Sequence, residues 1–309
     1  MTTTIFRTAD AWYVATPDGA VKIATKAGTT AQLLRDREAI SAAAVSSDTV
    51  PVDSLALVSP VTAPCRVVAQ MTNFASHAKD AGLNPDTVPL TFFRKSSGSI
   101  SGPFDEVVKP AHVRLLDYEV EIGLVIGREM PVGTEITEDN LADYVAGIVV
   151  TNDVSARDVQ LPKTQFYESK SYPTFTPVGP ALVLLDADEL KRFGDLRLRL
   201  RVSGELRQNM LVDGDMIYKP LQALQALARF QRLGAGDLVM TGTPVGTALG
   251  APPKPIASLL PPAVKWKAFF KRQANNPKYL QHGDIVELSV ATDDGAIDLG
   301  TQRTAVRYA

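Results

Sequence analysis

Residues 117–127, DYEVEIGLVIG, constrain what this chain can fold into more than any other stretch. In an extended strand residues i and i+2 share a face, so Glu119 and Glu121 point the same way, about 7 Å apart along the strand. Tyr118, Val120, Ile122 and Leu124 form the opposite face, and the apolar run that follows suits a strand buried on both sides. Two inward-facing carboxylates repel each other and lose hydration unless a cation or a shared proton holds them. The strand is therefore expected to line a cavity, with both glutamates directed into it.

A third carboxylate ends a second apolar strand, residues 145–153, VAGIVVTND. Asp153 is either a ligand beside the glutamates or the cap of the following turn. Three carboxylates with no Cys or His pair beside them fit a hard cation bound through oxygen, Mg²⁺ or else Mn²⁺ or Ca²⁺, rather than zinc. Such a site leaves about three coordination positions for water or substrate.

The balance of 32 basic and 34 acidic residues, a net charge of −2, gives no reason to expect nucleic acid or a membrane surface as partner. It fits a cytoplasmic metabolic enzyme. No basic segment followed by an apolar one opens the chain, and no apolar run is long enough to span a bilayer. The one cysteine, Cys65, can form no internal disulfide and reads as a structural thiol leading into a strand.

Residues 1–60 read as a small β-rich unit: a hairpin around Pro17-Asp18-Gly19, then a helical pattern over 29–45. Residues 61–309 form the larger unit. Its strand-like runs, such as LRLRLRV with Leu inward and Arg outward, outnumber helical ones such as KPLQALQALARFQRL. The absence of a regular βαβ rhythm points to an α+β, mainly β architecture. Residues 249–281 combine prolines with Trp266, Phe269 and Phe270, and read as a cavity cover, an oligomer contact or a surface excursion.

His77 and Asp80 are spaced to meet on one helical turn, where a carboxylate can hold an imidazole tautomer. His112 and His282 sit beside turns. No Gly-x-Ser-x-Gly elbow and no Gly-x-Gly-x-x-Gly dinucleotide fingerprint is present.

DYEVEIG, TNDVSARDVQ, SKSYPTFTPVGP and VMTGTPVG, in this order and at these separations, resemble the fumarylacetoacetate hydrolase superfamily over about residues 62–309. The resemblance implies a mixed β-roll, a divalent cation (usually Mg²⁺) on Glu119, Glu121 and Asp153, a homodimer, and a 2-oxo acid as substrate. It implies that His77 with Asp80 activates water and that Lys170 and Gln160 stabilise an enolate. Thr243, Lys95 and Asn73 would then face substrate. Departures are Asp80 for a family glutamate, Phe74 for a tyrosine, and Gln70 in a segment where the family has a glycine. Arg157 and Asp158 are expected to pair beneath the metal loop. The implied reaction is hydrolysis of a carbon–carbon bond in an acylpyruvate-like 1,3-diketo acid, for instance fumarylpyruvate. The same scaffold supports decarboxylation of an oxaloacetate-type acid, and isomerisation or hydration of a 2-hydroxydienoate. A member that only binds an oxo acid is the remaining alternative.

Overall fold

Ten strands run side by side through the centre of the protein, in a computed structural model that describes residues 2–163, 166–249 and 262–309. Their order is Thr49–Val50, Gly19–Lys22, Trp12–Thr16, Thr3–Arg7, Thr176–Leu184, Val145–Asn152, Val120–Ile126, Leu238–Met240, Val67–Gln70 and Phe92–Lys95, and the short strand Ile100–Ser101 joins alongside Thr176–Leu184. A second sheet holds Glu205–Leu211, Leu196–Val202, Ile285–Thr292, Asp298–Tyr308 and Val107–Lys109. The architecture is α+β and mainly β, as the strand-rich pattern led one to expect.

The hairpin over 12–22 forms with Pro17 and Asp18 as its loop, and Thr16 opposes Gly19. The N-terminal strands extend the central sheet, because Thr3–Arg7 pairs antiparallel with Thr176–Leu184. The helical pattern over 29–45 is two helices, Thr30–Leu33 and Arg37–Ala44, interrupted at Arg35 and Asp36. Leu196–Val202 buries its Leu side and turns Arg197, Arg199 and Arg201 outward, as its alternation requires.

The strand Val120–Ile126, which carries Glu121 and directly follows Glu119, is buried along its whole length. Val120, Ile122 and Leu124 enter the larger apolar core, while Val125, on the glutamate side, enters the smaller one with Val149 and Leu238. Gly123 follows Glu121 on that side. A Cβ there would lie 2.7–2.9 Å from Leu238, Val149 and Thr151, so glycine lets the neighbouring strands close over this face.

The proline-rich stretch 250–261 lies outside the described residues, and with it most of the expected cover or contact. Beyond it, the helix Pro262–Gln273 buries Phe269, and the Arg114 guanidinium stands 5.6 Å from the Phe270 ring centre. No described helix is long and apolar enough to cross a membrane.

Burial, with Asp237 nearby, pushes the Cys65 thiol up to about 12. Alkylation at pH 8 should therefore run about 10³-fold slower in the folded protein than in urea, because the thiolate is the nucleophile. Equal rates in the two states would contradict the raised thiol pKa. The folded state keeps a proton that the unfolded chain sheds above about pH 8.5, so Cys65 lowers stability as pH rises beyond that point.

Candidate metal and active site

Backbone pairing brings the three carboxylates together. Glu121 opposes Thr151 on the neighbouring strand, which places Asp153 two residues further on the same face. The Asp153 N–H donates to the Glu119 carbonyl at 2.9 Å, and the Glu119 N–H donates to the Asn152 side chain at 3.0 Å. One oxygen from each of Glu119, Glu121 and Asp153 lies within 4.8 Å of the others, and all three residues are buried. That donor set, oxygen only and convergent, fits a hard divalent cation.

The charges around the cluster are unequal. Lys170 Nζ donates to Glu119 Oε2 at 2.8 Å and also to Asp153, while Lys95 donates to Asp153 and to the Phe175 carbonyl at 2.9 Å. Arg157 donates to Asp117 at 2.8 Å, to Gln160 Oε1 at 2.9 Å and to Glu119. Burial raises the cost of an ionised Glu119, but Lys170 and Arg157 outweigh it and hold that carboxyl well below the usual range. Glu121 has no such cation against it. Burial, then Asp153 and Glu119, push its pKa well above the ordinary value, and only the Gly242 N–H, at 2.8 Å, and Lys170 oppose them. Glu121 is the carboxylate for which the protein itself supplies too little positive charge, and a divalent cation would supply it. Gly242, at φ +83°, is required there: a Cβ would stand 2.9 Å from that of Asn73.

A cavity of about 190 Å³ opens in front of the cluster. Pockets for drug-sized ligands start at about 300 Å³, so this one suits a small metabolite. His77, Lys170, Gln160, Thr243 and Asp80 all line it with the three carboxylates. Thr243 Oγ1 accepts from Gln208 Nε2 at 2.9 Å. His77 lies on the short helix Ala75–Asp80, whose N-terminus is capped from across the fold by Asp215, which accepts from the Ser76 N–H at 2.8 Å. Burial lowers the His77 pKa, partly offset by Glu119, so the imidazole is neutral at physiological pH.

Three expected roles look different in the structure. Asp80 is exposed at the rim, and the buried Nδ1 of His77 has no hydrogen-bond partner among the described residues. Asn73 donates to the Tyr218 and Thr241 carbonyls at 2.9 and 2.8 Å and accepts from the Tyr218 N–H at 2.9 Å, so its amide straps the loop instead of facing substrate. Lys95 stands behind Asp153, outside the cavity wall. Arg157 also pairs elsewhere than expected. Its adjacent helix neighbour Asp158 accepts from the Arg114 and Leu115 N–H groups, and Arg157 turns to Asp117 and Glu119. Asp117, Gln208, Asp215, Phe93 and Phe166 were not singled out in the sequence. Only Asp117 left a signal there, two residues before Glu119 on the same strand face.

Comparison with known proteins agrees with this geometry. The rat protein named oxaloacetate tautomerase Fahd2a, mitochondrial, is 34% identical over 201 residues, 65% of this chain and 62% of its own length. The chain thus spans less than two thirds of the first curated relatives it matches. A 2,4-didehydro-3-deoxy-L-rhamnonate hydrolase of Sphingomonas sp. (strain SKA58) is 35% identical over 248 residues, 80% of this chain and 75% of its own length. The crystal structure of a probable 2-hydroxyhepta-2,4-diene-1,7-dioate isomerase from Mycobacterium abscessus matches with a TM-score of 0.75 at 31% identity, over 100% of this chain and 99% of that one. The model of the fumarylacetoacetate (FAA) hydrolase C-terminal family matches residues 66–307, most of the sequence, and the chain belongs to that family.

Proposed function

We propose that the protein hydrolyses a carbon–carbon bond in an acylpyruvate-like 1,3-diketo acid. The observation that carries this reading is a neutral, half-buried imidazole, His77, in one small cavity with three convergent carboxylates and the Lys170 ammonium. Glu119, Glu121 and Asp153 would hold a divalent cation, Mg²⁺ in the first instance. Bound there, it would supply Lewis-acid polarisation of the oxo-acid oxygens. His77 takes a proton from water, and the hydroxide adds to the distal carbonyl carbon. The bond from that carbon to the methylene then breaks. Its electron pair passes into the pyruvate enolate, a carboxylic acid forms, and the enolate takes a proton to give pyruvate. Arg157 occupies the Gln160 carbonyl, which leaves the Gln160 NH₂ as the end available to substrate. Lys170 and that amide are the donors placed to stabilise developing negative charge on oxygen.

One observation favours a second reading. Asp80 makes no described bond to His77, so the pair that would drive water attack is not assembled. Tautomerisation or isomerisation of a 2-oxo acid needs enolate stabilisation but no attacking water, and relatives carry names of that kind as well as hydrolase names. A product assay with Mg²⁺ on acetylpyruvate, fumarylpyruvate, oxaloacetate and a 2-hydroxydienoate separates the two. Pyruvate plus a free acid from a diketo acid is the expected result. CO₂ release or double-bond migration without acid release would overturn the hydrolase assignment.

A further inference from the structure

The cavity has two chemically different ends. At the carboxylate cluster stand the two cations that line it, Arg157 and Lys170, and each is already paired with carboxylates. Beyond the charged cluster the lining is uncharged except for Asp80: Gln70, Thr72, Gln160 and Thr243 are its neutral polar groups, and part of it is apolar. Phe93 meets Phe166 edge to face, with ring centres 5.2 Å apart at 88°, and Leu161 and Leu249 continue the surface. Lys170 Nζ lies 5.2 Å from the Phe93 ring centre, so the aromatic wall begins where the cationic end stops. Among the described residues that line the cavity there is no further Lys or Arg, and the one charged lining group that is exposed at the rim is an anion, Asp80.

We infer that this site selects 2-oxo acids with a single carboxylate and an uncharged, mainly apolar substituent at the distal end, and discriminates against dicarboxylates. The inference rests on reading the cavity as a 2-oxo acid site, and it narrows the substrate to an acylpyruvate whose acyl group carries no charge. The substrate's one carboxylate belongs at the cluster, where the cations are. A second carboxylate beyond the cluster would lose water against phenyl and leucyl side chains with no cation to pair with, and would share the cavity with Asp80. A branched or straight hydrocarbon of the same size keeps the shape and loses both penalties. Fumarylpyruvate, with its distal acid, should accordingly be a poorer substrate than acetylpyruvate.

The test is calorimetric binding to the Mg²⁺-saturated full chain with a matched pair of ligands. 2-Oxoglutarate and 5-methyl-2-oxohexanoate have the same length, and the second carries an isopropyl group in place of the distal carboxylate. The ligand with the uncharged distal end should bind at least about tenfold more tightly. Asp80→Lys, an exposed substitution, should shrink that ratio toward one, and Phe166→Arg should do the same from the aromatic wall. Equal or tighter binding of 2-oxoglutarate by the unmodified protein would overturn the inference and leave the 2-oxo acid site standing. A ratio that neither variant changes would overturn the assignment of Asp80 and Phe166 to the distal end. If neither ligand binds while Mg²⁺ does, the 2-oxo acid reading itself falls, and the inference with it.

Discussion

Replacing His77 by alanine should lower kcat on a cleaved diketo acid about 10²–10⁴-fold, the usual contribution of a positioned general base. Divalent-metal affinity should stay nearly unchanged, because His77 lines the cavity but is not among the three clustered carboxylates. Binding of the 2-oxo monocarboxylate should likewise persist, which separates a lost proton acceptor from a collapsed site. Burial lowers the His77 pKa from 6.5, so the acid limb of the kcat profile should fall below that pH. Asp80→Ala should cost less than about tenfold, since no hydrogen bond ties the carboxylate to the ring and only a solvent-screened interaction is lost. Steady-state kinetics with a coupled pyruvate assay, beside metal titration of each variant, measures all of this. A His77→Ala enzyme within about threefold of the parent would remove the imidazole from the chemistry and favour the tautomerase reading, in which no water need be activated.

The carboxylate pair was legible in the sequence because the strand period is short and unforgiving. Glu119 and Glu121 stand on the face opposite Val120, Ile122 and Leu124, and no register can separate them. Asp153 was only half legible: its place at the end of a largely apolar strand suited the cap of a turn as well as a third carboxylate. What lay beyond reach was long-range and polar. The strand Asp298–Tyr308 is the longest described, yet its inward positions include Gln302 and Thr304, both fully buried, so its alternation does not appear as hydrophobic periodicity. The two arms of the Asn73 strap are 145 and 168 residues away, and the Asp215 cap on the His77 helix is 139 residues from Ser76. Spacing rules see neighbours on one turn or one strand. They paired Arg157 with Asp158 for that reason, although adjacent residues on a helix do not face each other.

The real partners of Arg157 lead to the second large effect. Arg157→Met should destabilise the metal-free protein by about 3–5 kcal/mol, as expected when one member of a buried ion network is removed and its counter-charges stay behind. Arg157 is 3% exposed and bridges Asp117, at 0%, to Glu119. Asp117 cannot turn to water instead: its oxygens also accept from the Tyr118, Ala248 and Leu249 N–H groups at 2.8, 2.7 and 3.1 Å, and so hold the chain that leads out of the Thr243 loop. Methionine preserves most of the side-chain volume, so the loss would report charge and not a cavity. Urea denaturation in the presence of a chelator measures it. Arg114→Ala is the control. Its partner is Asp158 at 3.3 Å, but the arginine side chain is 68% exposed, and such a pair contributes about 0–1 kcal/mol. Saturating Mg²⁺ or Mn²⁺ should return part of the Arg157 loss, because a cation on Glu119 replaces charge that the arginine supplied and binds only the folded state. A loss under about 1 kcal/mol would mean that the buried carboxylates are protonated or hydrated in the variant. A loss of the full size that no metal restores would place the damage at Asp117 and the loop it holds, not at the cluster.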